Sequence, residues 1–261
     1  MKVQVLGCVE VRKSAGSRIS LPDGARRLLA GLSWAPNDFV ADEQVIERVW
    51  ERDTPQHPQQ ALYNVAARLR KALRCLGDAG DVELTRRRGG YILVIDEAAV
   101  DLSRFRMLAQ QAKDAGRRGE DEAALKLYGE ALSLWRGEPF SEIKTPWADS
   151  VRATLRHERR DALGRSAELG LRSGRHEEYV PALHHLAAAH PWDEKVAALL
   201  MLALYRSGRQ GEALRQFRLI RSTLVDVTGD EPGQELRDLH EQMLRRDPCL
   251  RDTTAWSAVT R

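Results

Sequence analysis

Long hydrophobic runs are missing from this 261-residue chain. No stretch approaches the roughly 20 apolar residues that a membrane helix needs. The opening Met1-Lys2-Val3-Gln4 lacks the apolar core of a secretory leader. A cytoplasmic protein with no membrane partner is therefore expected. Cysteine is scarce as well. Cys8, Cys75 and Cys249 are scattered and odd in number, so they make neither a C-x-x-C pair nor a disulfide framework. They read as small buried hydrophobes in a reducing compartment. Catalytic signatures are lacking too. Gly7-x-x-x-x-Arg12-Lys13-Ser14 carries arginine where a phosphate-binding loop needs its second glycine, and it falls in a strand-like pattern. His184, His185 and His190 have neither zinc-ligand spacing nor cysteine company. No Gly-x-Ser-x-Gly elbow occurs. The expectation is a protein that is not an enzyme and uses no cofactor and no metal.

The charge is small overall, at +3, but it is unevenly placed. Residues 1–96 hold 15 Lys and Arg against 12 Asp and Glu, whereas residues 97–261 balance at 26 of each. Within 61–95 stand seven bases (Arg68, Arg70, Lys71, Arg74, Arg86, Arg87, Arg88) and three acids. A local basic patch is the footprint of a phosphate-binding surface. Its plainer reading is a solvated charged face.

Hydrophobic periodicity divides the chain. From Val3 to Val11 apolar residues alternate, as in a half-buried strand, and Arg18–Leu21 is placed to pair with it across Ser14–Ser17. Leu28, Leu29 and Leu32 share a helix face that ends before Pro36-Asn37. Asp42 is the expected N-cap of a second helix through Val45, Ile46, Val49 and Trp50, and Thr54-Pro55 stops it. A third helix begins near Pro58. Val82–Thr85 and Tyr91–Ile95 read as a hairpin with Arg86–Gly90 at its tip. Beyond Asp101 the pattern is helical throughout, over about 101–116, 120–135, 146–173, 176–189, 193–206, 209–227 and 233–246. The domains are therefore 1–96, 97–248 and a polar tail, 249–261. Gly174-Arg175-His176-Glu177-Glu178 recurs as Gly208-Arg209-Gln210-Gly211-Glu212. The 34-residue offset is the period of tetratricopeptide helix pairs.

The third helix carries the most chemistry. At 100° per residue, Leu62, Val65, Ala66, Leu69 and Leu73 share one face. The opposite face presents Gln60, Asn64, Ala67 and Lys71, with Arg68 and Arg70 on the flanks. Amides pair with adenine edges, arginine with guanine and lysine with phosphate, so this face suits a DNA major groove. An ordinary amphipathic surface helix is the alternative. The basic hairpin that follows favours DNA, because its arginines are placed to reach a minor groove or the phosphate backbone.

The pattern Asn64-Val65-x-x-Arg68-Leu69-Arg70-Lys71-Ala72-Leu73, closed by Thr85-x-Arg87-x-x-Gly90-Tyr91, resembles the OmpR-type winged helix. In the second domain Asp101-Leu102-x-x-Phe105, Ala131–Gly137, Leu202–Leu214 and Gly229-x-Glu231-Pro232-Gly233-x-Glu235-Leu236 resemble the bacterial transcriptional activation domain. Together they resemble a short member of the Streptomyces antibiotic regulatory protein family. The resemblance implies a mainly α fold with a small β component: a winged helix-turn-helix, then an all-α tetratricopeptide-like domain. It implies activation of a secondary-metabolite gene cluster by head-to-tail pairs on direct repeats in double-stranded DNA near the promoter, with help to RNA polymerase holoenzyme. It carries Gln60, Asn64, Arg68 and Lys71 over as the major-groove surface. Thr85, Arg86, Arg87 and Arg88 carry over as wing and flank contacts, and Glu51, Arg52 and Asp53 as a polymerase-facing loop. Arg88 and Gly89 stand where family members often have proline. Two other readings compete: a helical-repeat adaptor for proteins, and a regulator whose Trp135, Trp147 and Trp192 line an effector pocket.

Overall fold

The computed structural model describes residues 2–12, 18–50, 54–74 and 82–251. The alternating segment near the N-terminus, expected as one strand, is two: β1 (Lys2–Gln4) and β2 (Glu10–Arg12), antiparallel with Val3 opposite Val11. The chain bends between them because other partners capture its backbone. The Val5 and Leu6 amides donate to the Asp101 carboxylate at 2.8 and 3.1 Å. Their carbonyls accept from Phe140 and Arg136 at 3.1 and 2.8 Å. β3 (Arg18–Ile19) adds to β2 through Val11 and Ile19, as the sequence pattern suggested. The expected turn at Ser14–Ser17 lies outside the described residues.

Three helices follow. α1 (Asp23–Ser33) buries Ala25, Leu28, Leu29 and Leu32. After β4 (Val40–Ala41), α2 (Asp42–Val49) buries Val45 and Val49. α3 (Pro58–Arg74) buries Leu62, Ala66, Leu69 and Leu73. A Cβ on Gly24 would stand 3.0 Å from a Val65 methyl, so the bare glycine lets α1 and α3 approach. β5 (Val82–Arg87) and β6 (Gly90–Ile95) form the hairpin, and β4 pairs with β6 to give the order β4-β6-β5.

The helical region comprises α4 (Asp101–Arg117), α5 (Asp121–Ser133), α6 (Pro146–Arg172), α7 (His176–Ala189), α8 (Glu194–Arg206), α9 (Gln210–Thr228) and α10 (Gln234–Arg245). α8 is buried almost all round, from Val196 to Tyr205, as a helix apolar on every side must be. The 34-residue repeat is physical. Gly174 and Gly208 both take φ 77°, a left-handed cap that glycine adopts without strain. The amide after each donates five residues back to the same repeat position: Arg175 to Gly170 at 2.8 Å and Arg209 to Leu204 at 2.8 Å. Gly119 makes the same turn, with Glu120 donating to Ala115 at 3.0 Å. Its spacing to Gly174 differs because the loop after α5 and the 27-residue α6 intervene.

Contact clustering gives two compact units, residues 1–111 with 129–159, and residues 112–128 with 160–261. α4, α5 and α6 thus each contribute to both, and the division does not follow the composition change near residue 96. In the first unit Trp135 packs edge-on against Phe105 at 5.3 Å and Trp147 against Phe140 at 5.8 Å. Part of the segment read as a polar tail is ordered: Pro248–Arg251 forms a 3-10 helix that buries Leu250. Cys8 and Cys249 are exposed, against the expectation of buried thiols. Cys8 sits at the β1–β2 bend beside Ser141, and Cys249 follows Asp247, which caps its amide. Cys75 lies outside the described residues. Among those described, no helix is long and apolar enough to cross a membrane.

Candidate nucleic-acid interface

α3 projects its polar side outward. Gln60, Asn64, Ala67, Arg68 and Lys71 are all exposed, and no hydrogen bond or ion pair among the described residues occupies them. At 1.5 Å per residue the face from Gln60 to Lys71 spans about 16 Å, which matches about five base pairs of B-DNA. The core side chains on the far side anchor it, since Leu62, Ala66 and Leu69 are at most 1% exposed.

Arg70, expected on the flank, turns inward instead. Its Nε donates to the Leu84 carbonyl at 2.9 Å and its guanidinium lies 5.7 Å from the Tyr91 ring centre. It ties α3 to the hairpin and leaves the outer face.

The hairpin tip is tighter than the sequence suggested. Arg86 pairs with Tyr91 and Arg87 with Gly90, so only Arg88 and Gly89 turn. Gly89 takes φ 77°. Gly90 is fixed by space: a Cβ there would stand 2.4 Å from the Val40 carbonyl oxygen and 2.5 Å from the Phe39 ring. Arg87 and Arg88 are exposed at this tip, and Thr85 is half-buried opposite Ile92.

Arg86 departs from the other wing residues. Its guanidinium grips both carboxylate oxygens of Asp42, one of them at 2.7 Å. It also donates to the Gly90 carbonyl at 3.1 Å and stacks 4.5 Å from the Tyr91 ring centre. The bond to Asp42 raises the Arg86 pKa further, and burial raises that of Tyr91 against the pull of Arg86 and Arg70. This pairing also explains why Asp42 fails as the expected N-cap. It is the first residue of α2, Ala41 holds the cap position, and no side chain caps the helix. The Asp42 amide donates to the Gly89 carbonyl at 2.9 Å, so side chain and backbone together bolt α2 to the wing.

Sequence reasoning missed two aromatics here. Tyr63 is 59% exposed and Phe39 50% exposed. Tyr63 lines an open cleft with Gln59, Gln60, Arg86 and Tyr91. Helical angle places Tyr63 on the wing side of α3, a signal that the charge pattern does not carry. The loop Glu51-Arg52-Asp53 lies outside the described residues. Trp192, one of the residues considered for an effector pocket, is 56% exposed. The described residues hold no cluster of His, Cys, Asp and Glu that would bind a metal ion.

Residues 100–244 match the family described as bacterial transcriptional activator domain. The regulatory protein AfsR of Streptomyces coelicolor is 34% identical over the whole chain, which covers 26% of AfsR. The regulatory protein DnrI of Streptomyces peucetius is 31% identical, with 96% of this chain and 94% of DnrI covered. The chain thus spans about a quarter of AfsR but nearly all of DnrI. A solved structure of Mycobacterium tuberculosis EmbR in complex with a low affinity phosphopeptide superposes with TM-score 0.87 at 28% identity, covering 99% of this chain and 70% of that one. With a winged helix followed by paired helices, and with these relatives over its full length, the chain belongs to the Streptomyces antibiotic regulatory protein family of transcriptional regulators.

Proposed function

We propose that this protein is a cytoplasmic, sequence-specific DNA-binding activator of a secondary-metabolite biosynthesis cluster. It acts on direct repeats near the promoter as a head-to-tail pair and engages RNA polymerase, with Glu51, Arg52 and Asp53 as the facing loop. The observation that carries the DNA reading is the outer face of α3: Gln60, Asn64, Arg68 and Lys71 are exposed together and unoccupied, beside a wing tip bearing Arg87 and Arg88. The relatives named as transcriptional regulators, such as RedD of Streptomyces coelicolor, support the regulatory role.

The chemistry follows from side-chain type. Arg68 offers two parallel donors to the O6 and N7 acceptors of guanine, and Gln60 and Asn64 offer a donor and an acceptor to adenine. Lys71 is a point charge for phosphate. Arg87 and Arg88 reach the backbone or a narrow minor groove, with Thr85 flanking. Arg86, already committed to Asp42, holds the wing in place.

Two substitutions separate these roles. Lys71→Ala weakens binding to every sequence about equally, because phosphate contacts carry no base information. Arg68→Ala costs about 1–3 kcal/mol on the cognate site and relaxes base preference there. Equal losses on cognate and scrambled DNA for Arg68→Ala would overturn its assignment as a base reader.

A further inference from the structure

α3 and the wing are tied at one end and parted at the other. At about 100° per residue, Tyr63 falls within about 20° of Arg70 around the α3 axis, two turns earlier and about 10 Å away along it. At Arg70 the helix is bound to the hairpin through the Leu84 carbonyl at 2.9 Å. At Tyr63 it stands clear, and a cleft of about 1080 Å³ opens between α3, the start of α2 and the hairpin residues Arg86 and Tyr91. Tyr63 is 59% exposed. It bears electrostatically on Tyr91, which places its hydroxyl on the hairpin side. No hydrogen bond among the described residues occupies that hydroxyl.

A single exposed tyrosine needs no explanation, but the position of this one has a consequence. In duplex DNA a major groove and the adjacent minor groove share one sugar–phosphate strand as their common wall. With α3 in the first and the wing tip in the second, that strand must cross the gap between them, and the gap is this cleft. Its α3 wall carries the amides of Gln59 and Gln60 and no acid in the first turn. Asp42 is neutralised by Arg86, one oxygen at 2.7 Å. Glu43, exposed on the far wall in the first turn of α2, repels phosphate and leaves the α3 side as the place where one can rest.

Resting on the DNA reading of α3 and the wing, we propose that Tyr63 clamps the sugar–phosphate strand between the two grooves, with its ring against a deoxyribose and its hydroxyl donating to a phosphate oxygen. Tyrosine is among the side chains that make such contacts, which fix register on the duplex and carry no base information. The phenol has no charge, so it releases no counterion and adds nothing to the salt dependence, unlike Lys71.

The test uses the whole chain, a fluorescein-labelled duplex that the parent selects from a random pool, and a scrambled duplex, read by fluorescence anisotropy across a range of salt. Tyr63→Phe should weaken binding to both duplexes about 2–10-fold, the weight of one neutral hydrogen bond. Tyr63→Ala should weaken both further, because it also loses the ring's contact with the sugar. Both variants should keep the salt slope of the parent, and, since Tyr63 is exposed, its melting temperature. Phosphates of the selected duplex are then replaced one at a time by uncharged methylphosphonates. One replacement should cost the parent affinity and cost Tyr63→Phe less, the mark of a direct pair. The proposal is overturned if Tyr63→Ala binds as the parent does, if its loss is confined to the selected duplex, as for a base reader, or if the parent and Tyr63→Phe respond alike to every methylphosphonate. The Lys71→Ala variant separates this from the reading beneath it. If Lys71→Ala weakens binding and Tyr63→Ala does not, the clamp alone fails; if the parent binds no duplex, the DNA reading fails and the clamp with it.

Discussion

Replacing Asp42 by alanine removes a negative charge from the surface proposed to meet DNA. Coulomb's law alone says that binding should tighten. The structure argues for the opposite, because Asp42 holds Arg86 and through it the wing. The side chains of the pair are 13% and 43% exposed. Exposed ion pairs are worth about 0.2–1 kcal/mol, and hydrogen bonds to charged groups about 1.5–3 kcal/mol. With Arg86 half in solvent, the pair is placed at about 1 kcal/mol. The stacking on Tyr91 adds about 0.5 kcal/mol. Loosening the wing by about 1–2 kcal/mol should weaken DNA binding by at most about 5–30-fold. The assay is an anisotropy titration of Asp42→Ala, Arg86→Ala and the double variant on one duplex across a range of salt. The two single losses should be strongly non-additive, since either change breaks the same joint. The salt slope should stay at the parent value. Tighter binding by Asp42→Ala would refute the reasoning. So would a fall of about 1 in the salt slope for Arg86→Ala, the mark of a lost phosphate contact.

Other consequences follow from the same geometry. Gly90→Ala places a methyl against the Val40 carbonyl, so β4 and β6 must part; thermal melting should fall and DNA binding should weaken, whereas Gly89→Asn, at an open position with φ 77° that asparagine tolerates, should be mild. Asp101→Asn leaves one acceptor oxygen for the Val5 and Leu6 amides and removes one of the two carboxylates beside Arg136, the other being Glu10 at 4.0 Å. One buried donor is then unsatisfied, at a cost of about 1–3 kcal/mol by denaturant unfolding. Burial lowers the pKa of His176 and of His240, with Arg206 adding to the effect at His176. The unfolded chain therefore takes up these protons first, and the stability linked to them, present above about pH 6.5, is lost as the pH falls through the depressed folded values. Melting temperature should drop from pH 7.5 to pH 5.5, and a double change to asparagine should shrink that drop; an unchanged drop would count against the assignment.

Most of the helical architecture was readable from periodicity, because amphipathic helices of this length leave a strong 3.6-residue signal. The bounds of α4–α10 differ from the expected ones by a residue or two at most ends. The strands read less well. Val3, Val5, Val9 and Val11 are buried at the same period through β1, the bend and β2, so the pattern hides the bend, and the groups that cause it are Asp101, Arg136 and Phe140, far along the chain. Strand β4, two residues long, leaves no periodic trace. At the candidate interface, composition located the basic residues of α3 and the wing but could not show which ones fold back. Arg70 and Arg86 look like Arg68 and Arg87 in sequence. The Leu84 and Gly90 carbonyls, Asp42 and the Tyr91 ring separate them. Tyr63 carries no charge, so the charge pattern that marks the basic residues of α3 does not single it out.

The most direct measurement is a gel-shift titration of the whole chain on promoter DNA of the biosynthetic cluster proposed as its target, at two salt concentrations and with scrambled competitor. The expected result is a salt-sensitive shift that resists the competitor, with two stepwise bands as paired half-sites fill and no shift for the Arg68→Ala, Lys71→Ala double variant. A folded chain that shifts cognate and scrambled DNA alike, or neither, would contradict sequence-specific recognition by α3.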